Sequence, residues 1–263
     1  MRYFILALMF CSLGFGLLNA FYQYGLSLDT SLANSPEEFN PALNRLCNIT
    51  QVLQYCDSIY GNSRIAPADS LAYANVVSHT LRLRFYHGLS TYGFCDNWVL
   101  YALQWVHPHS LAIVYENDIL KHSQALCSQQ SIVGMMALKQ KGFTFRKVGF
   151  KTKNGKAGHF TYEIRLRDGW HYYDVDKEPN AKVLETEGRP SISNLAQNDT
   201  LRRTAYAKNG KSVSDDLIPY YNTNFTPNAF PARNMLLFQR LCQLASYSLW
   251  LVMGLLYYWR YAR

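Results

Sequence analysis

The chain has little charge for its size, because Asp, Glu, Lys and Arg make up only 17% of its 263 residues. Hydrophobic residues make up 49% and aromatic residues 15%. A disordered chain has the opposite balance, with few apolar residues and much charge. The composition therefore excludes disorder and predicts a folded protein with a large core. Lys and Arg number 26 against 18 Asp and Glu, an excess that favours anionic partners.

Cysteine is also scarce. Six cysteines occur and no two form a C-x-x-C pair, so neither a disulfide scaffold nor a zinc module is expected. We expect no metal ion and no cofactor. Cys47 and Cys56 are the candidates for an isolated bridge. On one uninterrupted helix their backbones would be about 13.5 Å apart, so a bridge requires a turn, at Asn48. Two ordinary buried thiols are the alternative.

Two uncharged apolar runs stand at the ends of the chain. Residues 4–21 follow Arg2, and we assign residues 1–21 as a signal anchor or signal peptide. Residues 241–258 carry Trp and Tyr in their second half and have basic flanks. Residues 235–263 are therefore predicted to form a C-terminal transmembrane helix with a basic tail. A core helix is the alternative, because Gln243, Ser246 and Ser248 weaken the hydrophobic signal.

The basic flanks of both runs predict which side of the membrane the rest occupies. Basic residues favour the cytoplasmic side. We therefore expect the main domain to be extracytoplasmic, in the periplasm if the source is bacterial. Such a compartment permits disulfides.

Between the runs, the sequence changes in character along the chain. Residues 22–89 are polar with helical stretches, residues 90–140 have helical spacing, and residues 143–176 alternate like strands. Residues 181–234 are rich in Asn, Ser, Thr and Pro, which predicts a polar lid or surface wrap. We expect an α+β fold with the chemistry in residues 90–180.

Cys127 stands at the start of a predicted helix that stops at Gly142. The helix dipole and the unpaired N–H groups at such a start favour a thiolate and can hold an oxyanion beside the sulfur. Simple packing of a small apolar residue is the alternative. Cys95 also opens an apolar run, but that run does not lead directly into the strands, so we prefer Cys127. The side-chain candidates for an oxyanion donor are Asn97, Trp98, Gln129 and Gln130.

A histidine and two carboxylates follow on predicted strands. The segment HFTYEIRL places His159 on its polar face. Asp168 and Gly169 then predict a two-residue hairpin turn, after which Asp174 and Asp176 share one face. A thiol nucleophile, an imidazole base and a carboxylate that orients the imidazole occur in this order.

The predicted turn creates a difficulty of register. A two-residue turn pairs Glu163 with Asp174, which leaves Asp174 about 13 Å along the ladder from His159. Either the turn is displaced toward Arg165, or a bulge shifts the register, or Asp176 is the orienting carboxylate.

The helix-start cysteine, G-F-x-x-R-x-V, G-H-F-x-x-E and W-x-x-x-D together resemble the transglutaminase-like superfamily of papain-type cysteine enzymes, over about residues 125–176. The resemblance implies a core in which the cysteine's helix packs on an antiparallel sheet that bears the histidine and the aspartate. It assigns Cys127 as nucleophile, His159 as base and Asp174 as orienting carboxylate, with Asp176 in reserve. It implies amide or ester hydrolysis, or acyl transfer, through an acyl-thioester. A non-catalytic scaffold or accessory protein of a cell-envelope pathway is the alternative.

Basic residues cluster just before His159, in a stretch without acidic residues. They form either a solvated cationic face or a surface that meets anionic lipid or glycan. Nucleic acid does not fit an extracytoplasmic domain. The residues are Lys139, Lys141, Arg146, Lys147, Lys151, Lys153 and Lys156.

Overall fold

The computed structural model describes residues 2–21, 38–61, 70–153, 155, 158–177 and 179–261. The helices are α1 (Arg2–Phe21), α2 (Ile49–Tyr60), α3 (Ser70–Arg84), α4 (Trp98–Leu103), α5 (Glu116–Ile119), α6 (Cys127–Gln140), α7 (Ala181–Thr186), α8 (Ile192–Gln197), α9 (Asp199–Ala205), α10 (Lys211–Ser214) and α11 (Arg233–Tyr261). The strands are β1 (Tyr86–His87), β2 (Gln124–Ala125), β3 (Thr144–Lys151), β4 (Gly158–Arg165), β5 (Trp170–Tyr173) and β6 (Tyr221–Asn222). The predicted α+β class is confirmed.

The chain divides into two compact units. One, the apolar unit, comprises the described residues of Met1–Gly25, Ser90–Val114 and Ala232–Arg263. The other, the sheet unit, comprises the described residues of Leu26–Leu89 and Tyr115–Pro231. Parts of the predicted helical segment 22–89, namely residues 22–37 and 62–69, and the end of the basic tail lie outside the described residues.

The apolar unit is built on α1 and α11, which pack against each other in opposite directions. Gly16 lies against the backbone of Ser246, where an added Cβ would be 3.0 Å from the carbonyl oxygen. Met9, earlier in α1, lies beside Gly254, later in α11. The start of α1 and the end of α11 therefore lie at the same end of the pair. Both helices are long and apolar enough to cross a membrane, by length and composition.

Among the described residues, the sheet unit contains an antiparallel four-stranded sheet with the strand order β5-β4-β3-β6. One face packs on α6. Gly134 of α6 is so close to Tyr162 of β4 that an added Cβ would be 2.6 Å from the tyrosine oxygen. The glycine thus allows the helix to approach the sheet.

The second face of the sheet is covered by residues that follow the last hairpin. Residues 181–222, for which the composition predicts a lid or wrap, form α7 to α10 and the edge strand β6. Their buried apolar side chains join those of β3 and β5 in one cluster. The cluster includes Val148, Phe150, Tyr172, Leu184, Ile192, Leu195, Tyr206 and Ile218.

The hairpin between β4 and β5 has a different register from the one that a two-residue turn predicts. Arg165 pairs with Trp170, and the loop between them closes with a hydrogen bond from the Leu166 N–H to the Gly169 oxygen (2.8 Å). The predicted position of the turn, at Asp168 and Gly169, was therefore wrong: the turn lies one position earlier, which is the displaced-turn alternative. The guanidinium carbons of Arg165 and Arg146 lie 5.4 and 4.4 Å from the Trp170 ring centre, and these contacts favour the observed pairing.

The candidate bridge between Cys47 and Cys56 is absent, although the required turn is present. Asn48 caps α2 by accepting a hydrogen bond from the Gln51 N–H (2.9 Å). Both thiols are free. Cys56 is buried with its sulfur 3.5 Å from the Thr80 hydroxyl, and burial raises the pKa of Cys56 to about 11. Cys56 is thus an ordinary buried thiol.

Candidate active site

Cys127 is the first residue of α6 and is half-buried. The helix start is held by the side chain of Gln129, which accepts a hydrogen bond from the Leu126 N–H (3.1 Å). One turn later, the Ser131 hydroxyl donates to the Phe160 oxygen (3.0 Å). This bond fixes the start of α6 beside the start of β4, where His159 lies. The first turn of a helix also has N–H groups without partners inside the helix.

Arg84 supports the segment that leads into this helix. Its side chain is fully buried and donates to the backbone oxygens of Leu120 (2.5 Å) and His122 (3.0 Å). It also donates to the Asn44 side chain (2.9 Å). Burial lowers the pKa of Arg84 to about 10. One buried cation thus links the end of α3 to the backbone just before Cys127.

The structure brings the thiol, the imidazole and a carboxylate together. Sulfur, nitrogen and oxygen atoms of Cys127, His159 and Asp176 all lie within 4.8 Å of one another. On its other side, His159 Nε2 is 2.9 Å from Asp174 Oδ2. Because Asp174 engages Nε2, Nδ1 is the nitrogen left to face the thiol. Among the described residues, Nδ1 is buried and makes no hydrogen bond.

Asp174 is completely buried and receives several hydrogen bonds. Oδ2 accepts from the Tyr206 hydroxyl (2.9 Å) and the Tyr172 hydroxyl (3.3 Å), and Oδ1 accepts from the Lys177 N–H (3.0 Å). Burial alone would raise the pKa of Asp174, but the charge and hydrogen bond of His159 and the Lys177 N–H lower it. The carboxylate therefore stays ionised inside the protein.

His159 is also buried, and its ring stacks on Phe150 with the ring centres 5.6 Å apart. Burial alone would lower the pKa of His159. The charge and hydrogen bond of Asp174, followed by the interaction with Cys127, outweigh burial and raise this pKa to about 10. The imidazole is therefore protonated at neutral pH. A buried carboxylate, an imidazolium and a thiol thus lie next to one another.

Asp176 lies on the thiol side of the imidazole. Its Oδ2 is 3.9 Å from His159 Nδ1, beyond hydrogen-bond distance. Its Oδ1 is 2.6 Å from Nδ1 of His87 and 3.4 Å from Nε2 of Gln130. Asp176 itself is almost fully covered, whereas the His87 side chain is 42% exposed. Asp174 is therefore the carboxylate bonded to His159, and Asp176 links the site to a histidine that reaches solvent.

The other predicted candidates have different surroundings. Cys95 lies in the apolar unit, two residues before the N-cap Asn97, so it does not begin a helix. The side chains of Asn97 and Trp98 are bonded within that unit, to the oxygens of Gln239 and Ser246. Of the other two oxyanion candidates, Gln129 bonds to the Leu126 N–H at the helix start, and Gln130 contacts Asp176 (3.4 Å).

Cys127, His159 and Asp176 also provide the mixed sulfur, nitrogen and oxygen ligands that zinc accepts. Asp174 would then act as the outer carboxylate that orients a metal-binding histidine. A cleft lined by Asp174, Asn75, Glu185, Arg189 and other residues includes neither Cys127 nor His159. It gives no separate binding site for the reacting group.

The predicted basic surface is partly neutralised within the fold. Lys141 Nζ lies 2.7 Å from an oxygen of Asp57, and Arg146 Nε lies 2.5 Å from Glu163. Lys139, Lys151 and Lys153 are exposed. Lys156 lies outside the described residues. Fewer cations are thus directed to solvent than the sequence count predicts.

Comparisons with known proteins do not assign the chain to a family. No family model matches it, and no curated protein or solved structure does. The interpretation of the site therefore depends on its own residues.

Proposed function

We propose that the protein is a membrane-anchored cysteine enzyme of transglutaminase-like type that hydrolyses an amide or ester, or transfers its acyl group. The observation that supports this most is the buried connection from Asp174 through His159 to the thiol of Cys127 at a helix start. A protonated histidine that lies next to a nucleophilic thiolate can act as a general acid, because it can donate its proton to the leaving group.

The reaction proceeds in two halves. In the first, the Cys127 thiolate attacks the carbonyl carbon, a C–S bond forms, and the carbonyl electron pair moves to the oxygen. The N–H groups at the start of α6 are placed to hold this oxyanion. The intermediate then expels the amine or alcohol, which takes the proton from His159 Nδ1. The product is an acyl-thioester on Cys127.

In the second half, His159 Nδ1 removes a proton from water or from an acceptor amine. The resulting nucleophile attacks the thioester carbonyl, the C–S bond breaks, and the Cys127 thiolate and the imidazolium are restored. Asp174 keeps Nε2 protonated throughout and stabilises the imidazolium. The hydroxyls of Tyr172 and Tyr206 and the Lys177 N–H hold the carboxylate in place.

The acyl-thioester can be detected with an activated ester. Incubation with p-nitrophenyl acetate is expected to add one acetyl group to Cys127, visible by peptide mass spectrometry and removed by neutral hydroxylamine. Cys127→Ser should lose this modification. Cys95→Ser is the matched control and should keep it. A folded, reduced protein that forms no thioester would instead support the scaffold alternative, and acetylation that a chelator abolishes would support a metal site.

We also propose that α1 and α11 cross the membrane and that the sheet unit lies outside the cytoplasm. Gln197 is exposed on the sheet unit and Trp259 is exposed near the end of α11. In intact cells, an impermeant maleimide is expected to label Gln197→Cys, while Trp259→Cys should be labelled only after permeabilisation. Labelling of Trp259→Cys alone in intact cells would reverse the proposed orientation.

A further inference from the structure

The apolar unit exposes apolar side chains outside its two long helices. Trp105 and Val106 are 86% and 70% exposed, and Tyr101 is 39% exposed. No Lys, Arg, Asp or Glu occurs from Asn97 to Tyr115. Large exposed apolar residues in an uncharged stretch mark a contact surface with a nonpolar partner.

Hydrogen bonds determine which part of α11 lies beside residues 97–115. Trp98 Nε1 donates to the Ser246 oxygen (3.0 Å), and the Val99 N–H donates to the Ser246 hydroxyl (3.2 Å). The apolar run of α11 begins at Leu241, so Ser246 lies about 7 Å inside it. The start of α4 is therefore level with the apolar part of α11.

Later residues of the same stretch contact α11 just before its apolar run begins. Gln239 Nε2 donates to the oxygens of Ser110 (2.8 Å) and Ala112 (2.7 Å). Between Ser246 and Gln239 the contacts move about 10 Å along α11. The two ends of the loop are also joined, by the hydrogen bonds from the Tyr92 N–H to the Leu111 oxygen (3.0 Å) and from the Ile113 N–H to the Ser90 oxygen (3.1 Å). Residues 97–106 therefore lie in a loop whose two ends are at the same end of the α11 run.

The backbone at the start of α4 has its partners within the protein. The side chains that provide them are almost fully buried: Asn19, Asn97 and Ser246 are 7%, 1% and 0% exposed. These three side chains accept hydrogen bonds from the first three backbone N–H groups of α4. The Asn19 side chain also donates hydrogen bonds to two backbone carbonyl groups that precede α4. The pairs are Trp98 to Asn19 (3.2 Å), Val99 to Ser246 (3.2 Å), Leu100 to Asn97 (3.1 Å), Asn19 to Phe94 (3.1 Å) and Asn19 to Cys95 (2.7 Å).

We infer that residues 97–106 form a re-entrant segment that enters the acyl-chain region of the bilayer, with Tyr101, Trp105 and Val106 in contact with lipid. Irregular backbone occurs at membrane depth only where the protein satisfies its hydrogen bonds, as it does at the start of α4. Trp and Tyr are suited to the region between headgroups and acyl chains. The inference depends on the membrane anchoring proposed above and is independent of the chemistry at Cys127.

Tryptophan fluorescence tests the inference on the full chain in phosphatidylcholine vesicles with brominated acyl chains. The variants are Trp105→Phe, Trp250→Phe, which removes a residue at the middle of the α11 run, and Trp170→Phe, which removes one in the sheet unit. The difference from wild type isolates the emission of each tryptophan. Trp105 is expected to lose most of its emission, more strongly with bromines near the headgroup end. Trp250 should be quenched best by bromines near the methyl end, and Trp170 should keep its emission.

Each other outcome overturns the inference and shows where it fails. If Trp250 is quenched and Trp105 behaves like Trp170, the anchor holds and the re-entrant segment does not. If Trp250 also keeps its emission, the membrane anchoring fails. If Trp105 is shielded from lipid bromines and from aqueous iodide, a protein surface covers the patch. Unchanged far-UV circular dichroism and unchanged Trp250 quenching in Trp105→Phe establish that the variant folds.

Discussion

Iodoacetamide is expected to alkylate Cys127 at neutral pH about tenfold faster than an ordinary exposed cysteine. An ordinary thiol has a pKa of about 8.5, so only a few per cent of it is thiolate at pH 7. Cys127 lies beside His159, whose pKa is raised to about 10 mainly by Asp174 against the opposing effect of burial. An imidazolium next to a cysteine is one of the surroundings that make a thiol reactive.

The measurement is site-resolved mass spectrometry of all cysteines during a time course. Cys95 is the matched internal control, because it is also half-buried but lies in the apolar unit. His159→Gln should slow the alkylation of Cys127 to an ordinary rate. The difference between this variant and the wild type should persist through the neutral range. It should vanish near pH 10, where His159 loses its proton and an ordinary thiol is ionised as well.

Two results would contradict this prediction in different ways. Faster reaction at Cys95 would make Cys127 the wrong nucleophile while leaving a thiol enzyme in place. If both cysteines are alkylated at ordinary rates in a folded, reduced protein, Cys127 and His159 do not form an imidazolium–thiolate pair. That result would favour the scaffold alternative.

The local parts of the site could be predicted from the sequence. The helical spacing of apolar residues between Cys127 and Gly142 predicts α6. The alternation of apolar and polar residues predicts the strand that bears His159. Alternation does not identify which face is buried when a sheet is covered on both sides. Glu163, which alternation places on the same polar face of the strand as His159, is fully buried in an ion pair with Arg146.

The register of the hairpin could not be predicted, because contacts from outside the hairpin help to determine it. Asp168 and Gly169 predict a tight turn, but Trp170 pairs with Arg165 and lies under Arg146 from β3. The pairing shift moves Asp174 to a position diagonal to His159, within side-chain reach. The residues of the turn do not indicate that Trp170 will stack with a side chain from a third strand.

Long-range partners of the site had no signal in the sequence. Tyr206 reaches Asp174 from a stretch without clear periodicity, and the cluster that buries it forms only when α7 to α10 cover the sheet. His87 reaches Asp176 because the short parallel pair of β1 and β2 places it next to Ala125. Neither tyrosine nor histidine could be distinguished from the many others in the chain before folding brings these elements together.

Asp174→Asn is expected to reduce the rate of acetyl-enzyme formation at Cys127 by about 10²- to 10⁴-fold, whereas Asp176→Asn should have a much smaller effect. The two substitutions are matched in chemistry and lie two residues apart. Only Asp174 bonds to Nε2, at 2.9 Å, whereas Asp176 is 3.9 Å from Nδ1. An amide at position 174 removes the charge that keeps the imidazole protonated.

NMR titration of His159 separates this role from a purely structural one. In the wild type the imidazole should stay protonated until pH approaches 10, since Asp174 outweighs burial. In Asp174→Asn, the largest effect that opposes burial is removed and only the interaction with Cys127 still opposes it, so the pKa should fall far below 10. Asp176→Asn should leave the titration near the wild-type position. A larger shift in Asp176→Asn than in Asp174→Asn would make Asp176 the orienting carboxylate.

The same linkage predicts how stability depends on pH. Because the folded-state pKa of His159 is raised, its contribution to the free energy of unfolding is fully present below the unfolded pKa of about 6.5 and is lost as pH rises toward 10. The wild type should therefore be more stable than Asp174→Asn near pH 6, and the difference should shrink by pH 10. Urea unfolding at several pH values measures this difference. A gap that is constant across the range would mean that Asp174 contributes hydrogen bonds to Tyr172 and Tyr206 but no charge to His159, and the proposed proton relay would lose its basis.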